Sequence, residues 1–136
     1  MPRIIAIDYG KKRTGLAISD PLNMIANGVG TIDTEKLVWN LKQLFAEHEV
    51  DTILLGYPKN LDGTDTDITA KVDKFYQQLQ KLFPDKKTIL CDERFTSKMA
   101  FQAMIDSGLK KKDRQNKALI DEISAKIILQ GYLDHQ

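Results

Sequence analysis

Residues 3–19 read RIIAIDYGKKRTGLAIS, two apolar runs separated by a short polar segment. The first run, Arg3–Asp8, is almost continuously apolar and β-branched, which is typical of a central strand covered on both faces. Tyr9–Arg13 predicts a tight turn, and Thr14–Ser19 is a second strand. The stretch therefore predicts a buried β-hairpin whose first strand ends in an acid, Asp8.

The rest of the chain adds one strand and then alternates helices with strands. We predict a strand over Asn27–Ile32, an amphipathic helix with Thr34 as N-cap to about His48, a strand over Asp51–Tyr57, a helix from Ile68 to Pro84, a strand over Lys87–Cys91, a short helix over Ser97–Ser107 and a last helix from about Ala118 to Leu133. Strands joined by short turns pair antiparallel, whereas strands joined through helices run parallel by right-handed crossovers. We therefore expect an α/β fold of the ribonuclease H-like type. It has a mixed five-stranded sheet, a three-strand antiparallel meander plus two parallel strands, flanked by helices.

Composition limits the function. The chain has 136 residues, 42% hydrophobic and 29% charged, which predicts one globular domain over residues 1–136. A formal net charge of +1 excludes a generally basic surface, so any nucleic-acid contact must be local. The one cysteine, Cys91, cannot form an intramolecular disulfide, which suits the cytoplasm. No apolar run is long enough for a membrane span, so we expect no membrane partner.

Acidic residues mark one edge of the predicted sheet. Asp8 ends the first strand, Asp92 and Glu93 end the fifth, and Asp121 lies in the first turn of the last helix. Clustered carboxylates repel each other unless a cation lies among them, and Mg²⁺ prefers such hard oxygen ligands. A metal pair there can activate a water against a phosphodiester. Taken singly, Asp8 is also explained as a turn residue, and Asp121 as a partner of its helix dipole.

Basic residues adjoin the same edge. The segment 108–117 carries a net charge of +4, and it directly precedes the helix that bears Asp121. Phosphate-backbone binding is the functional interpretation and a solvated loop is the alternative. The residues expected to contact nucleic acid are Gly10, Lys12, Arg13, Arg94, Lys110, Lys111, Lys112, Arg114 and Lys117. For Arg94, an ion pair with Asp8 or Asp92 is the alternative, and the sequence favours it over a phosphate contact.

Four segments resemble the motifs of one known family in its order and spacing. They are DYGKKRTGLAISDP at 8–21, GYPKNLDGT at 56–64, CDERFTS at 91–97 and IDEISAKIILQGYL at 120–133. They are similar to the YqgF family, whose members are called Holliday junction resolvases or pre-16S ribosomal RNA nucleases. The resemblance covers essentially the whole chain. It implies a ribonuclease H-like nuclease of the cytoplasm that uses Mg²⁺ or Mn²⁺. Its acidic positions fall on Asp8, Glu93 and Asp121, with Asp92 as a possible further metal ligand.

Other functions remain open at this point. The hairpin DYGKKRTG also resembles the phosphate-binding hairpin of sugar kinases and actin-like ATPases, but those proteins need a second lobe. A non-catalytic RNA-binding assembly factor is the alternative outside enzymes. Within the nuclease interpretation we expect a ribosomal RNA precursor as substrate, with branched DNA as the alternative.

The expected oligomeric state rests on the apolar residues. A junction resolvase needs a self-complementary dimer face, and each helix shows only one apolar stripe. We therefore expect a monomer, with a homodimer as the alternative. Trp39 and Tyr132 are expected to be packing residues.

Overall fold

The structure, a computed structural model, describes residues 2–57, 68–92, 102 and 117–135. Within these ranges five strands form one sheet in the order β3-β2-β1-β4-β5. The strands are β1 Arg3–Asp8, β2 Arg13–Ser19, β3 Ala26–Asp33, β4 Val50–Tyr57 and β5 Lys87–Asp92. The helices are α1 Leu37–Glu47, α2 Thr69–Leu82 and α3 Lys117–Asp134, and a 3-10 turn over Thr34–Lys36 precedes α1.

The pairing of the strands confirms the predicted mixed sheet. β1 pairs antiparallel with β2, and β2 pairs antiparallel with β3, which is the predicted meander. β4 runs parallel to β1, and β5 runs parallel to β4. Parallel strands joined through helices place their carboxyl ends at one edge. The ends of β1, β4 and β5 therefore share the edge at which Asp8 lies.

Strand alternation divides the core into two layers. Odd residues of β1, such as Ile5 and Ile7, pack with α1 and α2, whereas the even residues Ile4 and Ala6 pack with α3. The layer beneath α3 is the apolar contact between this helix and the sheet. It is formed by the sheet residues Ile4, Ala6, Ala17, Ala26 and Leu54 and by the helix residues Ala125, Ile128, Leu129 and Leu133. Its sheet side is rich in alanine, and small side chains let a helix approach the strands closely. Asp8 has the parity of Ala6 and therefore faces the α3 layer.

The predicted N-cap at Thr34 is wrong. Asp33 is the residue that precedes the 3-10 turn, and no side chain caps that turn. The Thr34 hydroxyl instead donates to the carbonyl of Gly10 at 2.7 Å and lies 2.8 Å from the hydroxyl of Thr14. A short polar side chain that can cap a helix can also bond a neighbouring loop, and here it ties the start of α1 to the β1–β2 turn.

The expectation that Trp39 is a packing residue is also wrong, because this residue is 63% exposed. Around the sheet edge formed by β3, Leu22, Met24, Ile25 and Val29 are exposed as well. Sequence periodicity missed them because they lie in a loop and on an edge strand, outside any helical stripe.

The loop that carries three of these apolar side chains is well ordered by hydrogen bonds. The Asp20 carboxylate accepts backbone N–H bonds from Met24 at 2.7 Å and Ile25 at 2.8 Å. The bond from Ile25, followed by that from Met24, holds the pKa of Asp20 below its usual value. The side-chain amide of Gln130 on α3 contacts the same loop, since it donates to the carbonyl of Met24 and accepts from the amide of Ala26.

Several predicted segments lie wholly or almost wholly outside the described residues. They are the polar loop 58–67, the short helix 97–107 apart from Gln102, and the basic segment up to residue 116. In the ranges that are described, no helix has the length and apolar character that a bilayer crossing requires.

The docking of α3 can be tested at its most buried position. Leu129 of α3 is 0% exposed, so Leu129→Ala should lower the free energy of unfolding by about 2–5 kcal/mol. Ile127, also on α3, lines an open groove that includes Ala26 at the start of β3, and it is only half-buried. Ile127→Ala should therefore cost about 1 kcal/mol or less. Urea unfolding measures both variants, and equal losses would contradict this placement of α3.

Candidate functional site

Asp8 and Asp121 are brought together through one residue of β2. Asp8 is paired with Gly15 across the antiparallel β1–β2 ladder, and directly opposed residues of such a ladder present their side chains on the same face. On that face the backbone of Asp121 in α3 lies against Gly15. Both acids are half-buried. The two predicted acidic residues, 113 positions apart in the numbering, therefore meet at a single glycine.

Gly15 is required by this close approach. A Cβ atom built on Gly15 would overlap the carbonyl group of Asp121 and would lie 2.9 Å from the amide nitrogen of Glu122. A glycine inside a strand often marks such an approach of another backbone. The glycine inside β2 is therefore a signal of this approach that the sequence contains. Its observed role is to let α3 reach the end of β1.

The β1–β2 turn is a braced element that presents cations. Lys11, Lys12 and Arg13 are consecutive and exposed, and we call these three residues the basic turn. The carbonyl of Lys12 accepts the backbone N–H of Thr34 at 2.9 Å, and the Tyr9 ring lies 4.9 Å from that of Phe75 on α2. The turn is thus anchored to the 3-10 turn that precedes α1 and to α2. Lys11 was not among the residues predicted to bind nucleic acid.

Gly10 is required by the geometry of the β1–β2 turn itself. A Cβ at this position would collide with the carbonyl of Arg13 across the turn. The tightness of the turn therefore depends on Gly10, and this tightness holds the basic turn beside the end of β1 where Asp8 lies.

The remaining predicted site residues are placed only in part. Asp92 is the last residue of β5 and pairs with Tyr57 of β4, and Lys117 is the first residue of α3. The residues outside the described ranges are Glu93, Arg94, Lys110, Lys111, Lys112 and Arg114. Among the residues that the structure describes, no three side chains of metal-ligating type lie together. The described part of the site therefore consists of two acids and a basic turn.

These groups suit a hard divalent cation and a phosphate. Carboxylate oxygens are the ligands that Mg²⁺ prefers, and two carboxylates commonly hold it together with water and substrate oxygens. The cations of the basic turn supply charge for an anionic substrate at the same edge of the sheet. The arrangement can therefore bind a phosphodiester next to a metal ion.

Comparison with known proteins identifies the family. A family model described as RuvX, Holliday junction resolvase, matches residues 2–135. The chain belongs to the RuvX family. The match includes both sides of the described site, the hairpin with Asp8 and helix α3 with Asp121. The resemblance expected from the four sequence motifs is thereby confirmed.

Relatives of this chain in the family are similar over their whole length. A protein of Flavobacterium johnsoniae named "Putative pre-16S rRNA nuclease" is 53% identical over 133 residues, which cover 98% of this chain and 96% of the relative. A protein of Phocaeicola vulgatus with the same name is 51% identical over 134 residues, covering 98% and 96%. Family and relatives agree on a nuclease, so the chain is a hydrolase that acts on phosphodiester bonds.

A solved structure supports the fold. The Fowlpox virus resolvase, crystallised with Holliday junction DNA, superposes with a TM-score of 0.61 at 16% identity and covers 98% of this chain and 97% of its own. At this identity the similarity concerns the fold alone. It agrees with the ribonuclease H-like α/β arrangement that the strand order predicts.

The contact between Gly15 and α3 can be tested with a pair of alanine variants. Gly15→Ala forces the backbone of α3 away from β2 and should lower the free energy of unfolding by about 1–3 kcal/mol. Gly131→Ala is the matched control, because nothing lies within 4 Å of a Cβ there. Alanine in a helix is favoured over glycine, so this control should gain up to about 1 kcal/mol. A Gly15→Ala protein as stable as wild type in urea unfolding would contradict the close approach.

Proposed function

We propose that this protein is a divalent-metal-dependent nuclease that trims the precursor of 16S ribosomal RNA in the cytoplasm. Asp8, Glu93 and Asp121 are its metal-binding acids. The observation that carries the proposal is the meeting of Asp8 and Asp121 at Gly15, at the carboxyl-end edge of the sheet. Acids held together in this way are stable when a cation shares them. Asp8 and Asp121 are far apart in the sequence and yet meet in the fold. A turn role for Asp8 and a helix-dipole role for Asp121 would not require this meeting.

Glu93 is the third acid that we propose, on the basis of the motif that the chain shares with its family. It lies in the segment CDERFTS at 91–97 and directly follows β5 in the sequence. Cys91, near the end of that strand, packs against the layer beneath α3, which is the face toward which Asp8 and Asp121 converge. Asp92 is the possible further ligand.

The chain's own residues orient the substrate. Bound Mg²⁺ or Mn²⁺ would supply an activated water and would offset charge on the leaving oxygen. Lys12 and Arg13 of the basic turn hold the phosphate backbone beside Asp8. The contacts of the turn with Thr34 and Phe75 keep those cations in place. The segment 108–117 carries a net charge of +4 and precedes the rest of α3 in the sequence, and we propose that it also binds phosphate.

The ribosomal RNA precursor is the preferred substrate because of the relatives. Proteins about half identical over nearly their full length carry the pre-16S rRNA name. The resolvase seen with a DNA junction shares only 16% identity. Substrate preference follows surface residues, which diverge far sooner than the fold. For the choice of substrate, the relatives of higher sequence identity therefore carry more weight than the resolvase that shares the fold.

A four-way DNA junction is the second candidate, and one observation favours it. Symmetric nicking needs a two-fold dimer with a self-complementary face. The exposed apolar residues Leu22, Met24, Ile25 and Val29 surround the edge strand β3. They are the surplus apolar surface that such a face requires. Our sequence-based reason for a monomer is therefore removed, although a monomer remains the simpler form for trimming one RNA strand.

The acids can be tested by isosteric amides. Asp8→Asn, Glu93→Gln and Asp121→Asn should each slow metal-dependent cleavage at least tenfold, since each 1.36 kcal/mol of barrier is a factor of about ten. Asp85→Asn is the matched control, because Asp85 is 77% exposed and lies just before β5 at the opposite edge of the sheet. Initial cleavage rates on precursor RNA, with and without Mg²⁺, give the comparison.

Melting curves separate catalysis from binding in the same variants. Mg²⁺ should raise the melting temperature of the wild type, because the ion binds the folded site and not the unfolded chain. This shift should shrink in Asp8→Asn and persist in Asp85→Asn. Wild-type cleavage rates in all three amide variants would refute the proposed site. Absence of cleavage by the wild type under any metal would instead favour the RNA-binding assembly factor.

The two substrates are distinguished in one assay. We expect an extended 16S precursor RNA to be cut faster than a mobile four-way DNA junction at equal salt and metal. Sedimentation of the same samples reports the oligomeric state, and Met24→Glu tests whether the apolar edge takes part in it. Symmetric nicking of the junction by a dimer that Met24→Glu disrupts, with the RNA left intact, would reverse the assignment of the substrate.

A further inference from the structure

One large aromatic side chain lies on the surface of α1, the helix that follows the contact between Thr34 and the basic turn. Trp39 on α1 is 63% exposed, although tryptophan is strongly buried on average in folded proteins. A single exposed apolar residue often has no function, so exposure alone decides nothing. The surroundings of Trp39 are what distinguish it.

Cations flank Trp39 along the helix. Lys36 and Lys42 are three residues before and after it, both are exposed, and residues at this spacing are neighbours on a helix surface. We call Lys36, Trp39 and Lys42 the tryptophan stripe. An aromatic ring between two ammonium groups matches a base between two phosphates, because the ring stacks while the ammonium groups neutralise charge.

The stripe begins two residues after a direct contact with the basic turn. Thr34, at the start of the helical segment, donates its backbone N–H to the carbonyl of Lys12 at 2.9 Å. Trp39 lies five residues further on, which corresponds to about 8 Å along a helix. The two surfaces together carry five cations, Lys11, Lys12, Arg13, Lys36 and Lys42, against the exposed acids Asp33 and Glu35. The net positive charge therefore extends from the end of β1 to Trp39.

We propose that the tryptophan stripe is a binding site for single-stranded nucleic acid, in which a base of the substrate stacks on Trp39. The inference rests on the proposed nuclease function, because the strand that leaves the cleavage site along the basic turn is the strand that reaches Trp39. It deepens that function by naming the form of the substrate. A base within a duplex is already stacked on both faces, so the stripe selects an unpaired extension over a continuous double helix.

The chain contains its own probe, since Trp39 is its only tryptophan. Titration of the metal-free protein with oligouridylate should quench the tryptophan fluorescence to saturation. Duplex RNA of equal length and inorganic polyphosphate should bind through charge without comparable quenching. Quenching by polyphosphate equal to that by oligouridylate, or no quenching by oligouridylate at concentrations at which it binds, would overturn the stacking role.

Variants separate the ring from the charges. Trp39→Ala should weaken oligouridylate binding roughly tenfold, and Trp39→Phe should restore part of the loss, as expected for stacking on a base. Lys36→Gln and Lys42→Gln should each reduce the log–log salt slope of binding by about 0.7. Lys81→Gln is the matched control, an exposed lysine in the last turn of α2, and should leave affinity and slope unchanged. Unaltered affinity in Trp39→Ala, with a native melting temperature, would refute the proposal.

Cleavage assays on the same preparations test the tryptophan stripe separately from the proposed nuclease function. Metal-dependent cutting of precursor RNA without quenching by single strands would refute the stripe and leave the nuclease assignment intact. Quenching with tenfold weaker binding in Trp39→Ala, but without cleavage under any metal, would support the stripe and count against the catalytic proposal.

Discussion

The site depends on the contact between the backbone of α3 and Gly15. This contact determines how deeply the helix lies on the sheet, and therefore how near Asp121 comes to the end of β1. The alanines Ala6, Ala17 and Ala125 extend the close approach along the helix. Larger side chains there would lift α3 and separate the acids. The apolar residues that bury α3 against the sheet therefore also position the end of the helix that carries Asp121.

The opposite layer has a different role. α1 and α2 cover the odd residues of β1. The turn that follows β1 is held by Thr34, just before α1, and by the contact of Tyr9 with Phe75 on α2. The acids are therefore positioned by one layer and the basic turn by the other. The end of β1 is the point at which the two layers meet. This division explains how a chain with a net charge of only +1 can present concentrated positive charge at one place.

Much of this could be predicted from the sequence. The continuous apolar run of β1, the hairpin after it and the alternation of later helices and strands fix the sheet order, because connection length limits how strands can pair. Asp8 and Asp121 were identifiable as acids that interrupt apolar segments. The side-chain contacts within the fold were harder to predict. Thr34 has the chemistry of a helix cap, and only the three-dimensional proximity of Gly10 shows where its hydroxyl donates. The exposure of Trp39 likewise depends on which side of α1 the sheet occupies.

The order of the elements along the chain has a consequence for folding. α3 follows every strand of the sheet, and it brings Asp121 to the hairpin of β1 and β2, which precede it in that order. The hairpin can form from residues that are close together in the chain, whereas its contact with α3 requires the closure of a long loop. The nuclease proposed here should therefore be inactive in any partly folded state that has its sheet but has not yet packed α3.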